Sequence, residues 1–326
     1  MASEWQLIGQ AGKKLPSRSI GGLRVGIGDD AAVVRPKEGV EWVLTTDAFL
    51  ENVHFLLRAH AAEAVGYKAL ARATSDLAAM GARPLYFLMN LALPPACTGK
   101  WYDGFLEGMA RAARTFGLTV AGGDTTRSPL AAINLTIIGE VERGRAVLRS
   151  GARPGNLICV SGRLGEAELG LQLLRGRGPK KWKKELFRRH LYPEPRLELG
   201  QWLAKNKTAT AMIDISDGLS TDLRHLCESS GVGAKVWIAK IPKVALPSDV
   251  RKKMGLDPLR LALDGGDDYE LLFTVPKALA PHLPRTIGGV PVTVIGEITR
   301  GKRILLVDGA GRTKNLPAQG WEPFRK

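Results

Sequence analysis

Short apolar runs with strand character recur along this chain, and an unusual share of them meet an aspartate set beside glycine, serine or threonine. "EWVLTTD" (41–47) closes on Asp47, "GLTVAGGD" (117–124) on Asp124, and "TAMIDIS" (210–216) carries Asp214 and Ser216 with Asp217 next in line. "GGDD" (265–268) leads into "ELLFTV" (270–275), and "GIGDD" (26–30) repeats the style near the N-terminus. Between the runs lie segments with apolar residues at three- and four-residue spacing, over 61–82, 101–117 and from about 217 to 230, which predict helices. Further strands are expected at 85–93, 131–142, 157–162 and 290–298. Such alternation predicts mixed α/β (α+β) architecture. The turn-rich "RSGARPGN" (149–156) interrupts it before "LICVSG" restarts it, so two domains are expected, 1–147 and 148–326.

A single aspartate in such a place has an ordinary explanation, because Asp-Gly pairs make turns and Ser216 or Asp217 would serve as the cap of the helix that follows. Repetition is harder to explain that way, since caps and turns draw on Asn and Ser as readily. The chain has 32 acidic residues against 47 basic ones, a net charge of +15, yet its acids gather at these points. Like charges brought together raise one another's pKa unless a cation neutralises them. Carboxylates flanked by hydroxyls, as in Thr45, Thr46 and Ser216, suit a hard cation such as Mg²⁺, which takes one or two carboxylates together with substrate phosphates. The pairs Gly122-Gly123 and Gly265-Gly266 let backbone N–H groups approach phosphate oxygens. No GxxxxGK[ST], HRD or DFG motif occurs, and the three cysteines have no zinc-ligand spacing.

No apolar run is long enough to span a membrane and no signal segment opens the chain, so a cytoplasmic protein with free thiols at Cys97, Cys159 and Cys227 is expected. The net charge raises a nucleic-acid reading, concentrated in "RGRGPKKWKKELFRRH" (175–190), but a solvated face is the favoured account of that run. Nucleic acid is therefore an unlikely partner.

In order, "GIGDDAAVV", "TTDAFLENVHF" (45–55), "SDLAAMGARP" (75–84), "AGGDTTRSP" (121–129), "RSGARPGN", "IDISDGLSTDL" (213–223) and "GGDDYELLFT" (265–274) resemble the thiamine-monophosphate kinase family of the aminoimidazole-ribonucleotide-synthetase-like ATP-binding superfamily, over nearly the whole chain. The resemblance implies ATP-dependent phosphorylation of thiamine monophosphate to thiamine diphosphate with several Mg²⁺ ions. It also implies a homodimer whose N-terminal sheets join into a barrel. By motif, Asp30, Thr45, Thr46, Asp47, Asp76, Asp124, Asp214 and Asp217 are implied at metal sites, and Gly123, Arg149 and Ser216 at ATP. His54, Asp267 and Trp321 are implied at the substrate, with Asp267 standing where the family usually has Glu. No side chain is implied as a general base. Other superfamily enzymes, such as aminoimidazole ribonucleotide or selenophosphate synthetase, remain the nearest alternative, and a basic nucleic-acid-binding protein the alternative from another class.

Overall fold

The computed structural model describes residues 4–16, 22–25, 32–176, 183–246, 251–252, 254–322 and 324. Asp29 and Asp30 lie outside the described residues. The chain divides into two compact units, Met1–Leu77 with Ala82–Gly144, and Ala78–Gly81 with Arg145–Lys326.

The N-terminal unit contains α1 (Glu4–Lys14), β1 (Leu23–Val25), β2 (Val33–Val34), β3 (Val40–Leu50), α2 (Ala62–Ala79), β4 (Arg83–Leu93), α3 (Lys100–Phe116), β5 (Thr119–Arg127) and β6 (Ala132–Glu142). Its four-stranded sheet runs β3-β6-β4-β5, with β4 and β5 parallel and joined through α3, and the other pairs antiparallel. The sequence pattern puts Asp47 and Asp124 at strand ends, but both lie inside strands: β3 runs three residues beyond Asp47, paired throughout with β6, and β5 continues to Arg127 alongside β4. Ladder pairing overrides the turn preference of Asp and Gly at these positions. Period-two alternation buries Phe49 while leaving Leu44, Thr46, Ala48 and Leu50 exposed, Leu44 to 62%. Part of this outer face is covered where the β1–β2 ribbon places Leu23 and Val34 in a cluster with Tyr86, Ile138 and Trp42. Among the described residues the sheet stays open, with β3 and β5 as its edges.

Helices α2 and α3 touch backbone to backbone. A Cβ on Gly108 of α3 would collide with the Glu63 carbonyl of α2, and one on Gly66 of α2 with the Phe105 carbonyl of α3. Gly108→Ala should therefore lower the urea unfolding midpoint, at a cost of about 1–3 kcal/mol from overpacking, although alanine is the better helix former.

The C-terminal unit contains β7 (Leu157–Ser161), α4 (Glu166–Leu174), α5 (Lys183–Leu191), α6 (Leu197–Lys205), β8 (Ala211–Ile215), α7 (Leu219–Ser230), β9 (Gly233–Trp237), α8 (Pro258–Asp264), β10 (Glu270–Val275), β11 (Thr286–Ile287), β12 (Val290–Thr299), β13 (Ile304–Val307) and β14 (Thr313–Asn315). Its sheet runs β14-β13-β9-β12-β7-β10-β8, with β11 beside β12. Alternate residues feed two cores. Ile158, Val160, Ile213 and Leu272 join Leu219, Leu223 and Leu226 of α7 on one face, while Cys159, Met212, Leu271 and Phe273 join Leu199 and Leu203 of α6 on the other. Strands β8 and β10 are consequently near-continuous apolar runs, as expected of strands buried on both faces.

Within the basic run, residues 177–182 lie outside the described residues. Beyond them α5 pairs Arg188 with Glu194 at 3.1 Å and Arg189 with Glu166 at 3.0 Å, and buries His190. Burial pushes the Cys159 and Cys227 thiols up to about 12 and the Cys97 thiol to about 11, so none is a reactive thiolate at neutral pH. Among the described residues no helix is long and apolar enough to cross a membrane.

Candidate active site

In the N-terminal unit two periodicities meet. Arg72 and Asp76, four apart, share one face of α2, and Thr45 and Asp47, two apart, share the inward face of β3. Thr45 Oγ1 donates to Asp76 Oδ2 at 2.5 Å, and Arg72 grips Asp47 with Nε to Oδ2 at 3.1 Å and Nη2 to Oδ1 at 3.2 Å. The Arg72 guanidinium also stacks 5.0 Å over the Phe49 ring, which fixes the fork that holds Asp47. Thr46 points to the other face, donating to Asn134 Oδ1 at 2.8 Å. Strand register puts Asp124 opposite Asn90, and Asn90 opposite Asn134, so Asp124 shares that outer face. Gly123 lies against β4 so closely that a Cβ would strike the Met89 carbonyl. His54 sits in the turn after β3, where Nδ1 accepts the Leu50 N–H at 3.0 Å and the ring stacks on Phe49. In the neutral ring that bond leaves the proton on Nε2.

In the C-terminal unit the turn after β8 is a junction. Three successive carbonyls accept from segments distant in sequence: Ile215 from Tyr269 N–H at 2.8 Å, Ser216 from Asp267 N–H at 2.8 Å, and Asp217 from Trp321 N–H at 2.9 Å. Asp214, Ser216, Asp217, Asp267 and Trp321 are thereby brought to one place. Ser216 and Asp217 do not cap α7; Gly218 holds the N-cap position with no side-chain bond. The residue that orders the turn is Asp222, whose Oδ2 accepts the Asp217 N–H at 3.1 Å. Burial first, then the charges of Asp214 and Asp217, hold the Asp222 carboxyl well above the usual carboxylate range, while the Asp217 N–H and the charge of Arg149 act in the opposite direction. Sequence reasoning passes over Asp222. The signal for it is an acid in the first turn of a helix, able to reach back to a backbone N–H as in a capping box.

The loop from Gly265 to Tyr269 holds two non-glycine residues in the left-handed region, Asp267 at φ 67° and Tyr269 at φ 50°. Such a backbone persists only where its surroundings over-determine it. Tyr269 Oη donates to Asp267 Oδ1 at 2.7 Å, and His190 Nδ1 lies 3.7 Å from Asp267 Oδ2. Asp268 is a structural acid: it accepts the Gly165 N–H at 2.6 Å and the Ala167 N–H at 3.2 Å, capping α4 from a distance. Glu270 anchors the loop through a buried bidentate pair with Arg196.

The donors available to a metal are oxygens throughout. Among the described residues no three His, Cys, Asp or Glu side chains make a cage for an ion by themselves. Mg²⁺ asks for less from a protein, one or two carboxylates with waters and substrate phosphates completing the octahedron. The mutual repulsion around Asp214, Asp217 and Asp222 is what such a cation relieves, so the residues fit it.

Residues 28–141 match the family model "AIR synthase related protein, N-terminal domain", and residues 153–308 match "AIR synthase related protein, C-terminal domain". The thiamine-monophosphate kinase of Escherichia coli (strain K12) is 38% identical over 93% of this chain and 92% of its own length. That of Bacillus subtilis (strain 168) is 37% identical over 92% and 94%. Among solved structures, AaThiL complexed with AMPPCP and TMP aligns with a TM-score of 0.78 at 35% identity, covering 98% of this chain and 97% of its own. Identity of this order, sustained along both chains, shows that this protein belongs to the thiamine-monophosphate kinase family.

Proposed function

We propose that this chain transfers the γ-phosphoryl group of ATP to thiamine monophosphate, yielding thiamine diphosphate and ADP. The observation that carries the reading is the junction at Ile215–Asp217, where the carboxylates and hydroxyl suited to a metal-bound polyphosphate are bonded to the segments bearing Asp267 and Trp321.

The acceptor is a phosphate monoester whose second ionisation lies near pKa ~6, so it arrives already anionic and no strong base is needed. Repulsion between two anionic substrates is the obstacle. Mg²⁺ would be held in the N-terminal unit by Asp30, Thr45, Thr46, Asp47, Asp76 and Asp124, and in the C-terminal unit by Asp214 and Asp217, and would supply the neutralising charge there. The protein's part is to bind and orient for direct in-line transfer. Gly123 admits backbone close to the nucleotide, and Ser216 and Arg149 donate to it. His54, Asp267 and Trp321 position the thiamine moiety. Excess positive charge elsewhere attracts both anions at long range. The reading extends to a cytoplasmic homodimer in which the two N-terminal sheets join as a barrel.

A coupled assay for ADP with ATP and Mg²⁺ tests the reaction. Turnover with thiamine monophosphate and none with free thiamine is expected; equal turnover with both, or none with the monophosphate, refutes it.

A further inference from the structure

The last described stretch of the chain is tied down more firmly than its position requires. After Leu316, which is buried and donates its N–H to the Ile304 carbonyl at 2.9 Å, the backbone turns toward the start of α7. There three consecutive amides find acceptors: Gln319 N–H on Ser220 Oγ at 3.2 Å, Gly320 N–H on Thr221 Oγ1 at 3.1 Å, and Trp321 N–H on the Asp217 carbonyl at 2.9 Å. Ser220 spends its own proton on Asp264 Oδ1 at 2.9 Å, the residue immediately before the Gly265-Gly266 pair. Gly320 is buried, and a Cβ there would collide with the Asp217 carbonyl oxygen and come within 2.7 Å of Thr221 Oγ1. All this order is spent on a tryptophan whose surface stays 49% exposed, so core burial does not explain it.

We infer that residues 318–321 form a strap seated on the Ser216–Gly218 turn, and that Gly320 and Thr221 are positioning residues that hold Trp321 in register with Asp217 and Asp267. The inference rests on the proposed function for what Trp321 and Asp267 touch; the strap itself rests on the amide pattern. Glycine is required at 320 because only a residue without Cβ lets the strap close on the Asp217 carbonyl. Thr221 is required for its oxygen, not its bulk. Since the Asp217 and Ser216 carbonyls hold Trp321 and Asp267, a loosened strap disturbs recognition of the thiamine moiety more than recognition of ATP.

The test compares Gly320→Ala with the near-isosteric Thr221→Val, which keeps the helix packing if the alanine variant proves unstable. Amide hydrogen exchange at 319–321 and the KM values for both substrates are measured. Gly320→Ala should exchange at least about tenfold faster at these amides and raise the KM for thiamine monophosphate about tenfold, and Thr221→Val should do both about threefold. The KM for ATP should stay within about twofold in each variant. Parental exchange in both variants overturns the strap, and equal rises in both KM values overturn the positioning role. Trp321→Ala with a parental KM for thiamine monophosphate refutes the role proposed for the ring, while exchange in Gly320→Ala still decides the strap. If the parent chain does not turn over thiamine monophosphate, the proposed function has failed and the strap is decided by exchange alone: faster exchange supports it and parental exchange overturns it.

Discussion

Arg196→Met should be the most destabilising single change in the C-terminal unit. Arg196 and Glu270 are both almost wholly inaccessible, and the guanidinium meets the carboxylate twice, Nε to Oε2 at 2.7 Å and Nη2 to Oε1 at 2.5 Å. Ser161 Oγ adds a third bond to Glu270 at 2.5 Å and accepts the Leu271 N–H at 2.8 Å. Removing the arginine leaves a carboxylate with most of its hydration lost and one hydroxyl for company. Breaking a buried pair from one side costs about 3–5 kcal/mol, enough to lower the melting temperature of a unit this size by roughly 10 °C. Removing the pair from both sides is the control. Arg196→Met combined with Glu270→Leu eliminates both charges and should recover most of the loss, because the pair's own net contribution is small once desolvation is counted. A single variant that melts with the parent refutes the account. Glu270 directly follows Tyr269, so the single variant should also weaken substrate recognition through the loop that carries Asp267.

That pair shows where the sequence stops being readable. Strands β7, β8, β10 and β12 and helices α2, α3 and α7 stand close to where periodicity puts them, because each buries a face whose spacing is written in its own residues. Helices α4, α6 and α8 escape such reading because they are short and their stability is tertiary; α4 is capped by Asp268, a residue about a hundred positions away. The acids divide in the same way. Their clustering near glycine and hydroxyl residues is visible in the sequence, but whether an acid pairs with arginine, caps a helix or stands at a site depends on what the fold brings to it. Asp47 faces Arg72, Asp268 faces two amides, and Asp124 faces asparagines. Thr45 and Thr46 are adjacent in sequence and lie on opposite faces of β3, a consequence of the strand period.

The same contrast selects the most informative aspartate to change. Asp47→Asn removes a charge from the bidentate Arg72 pair, so it perturbs folding and function together. Asp124 has no such partner among the described residues: its Oδ1 accepts only the adjacent Thr125 N–H, at 2.9 Å, and its side chain is exposed on the outer face of β5. An exposed carboxylate without a structural bond contributes within about ±0.5 kcal/mol to stability, so Asp124→Asn should melt with the parent. Its expected effect is on turnover. If Asp124 holds Mg²⁺ at the transferring phosphates, replacing the charged oxygen by an amide weakens metal binding and removes charge stabilisation where repulsion is greatest, lowering kcat by about 100-fold or more. The Mg²⁺ concentration for half-maximal rate should rise, and excess Mg²⁺ should restore part of the rate. Steady-state rates across a Mg²⁺ series, with the melting curve beside them, separate this from misfolding. Near-parental turnover at low Mg²⁺ would remove Asp124 from the metal site and leave Asp76, beside Thr45, as the acid of this unit best placed to hold the ion.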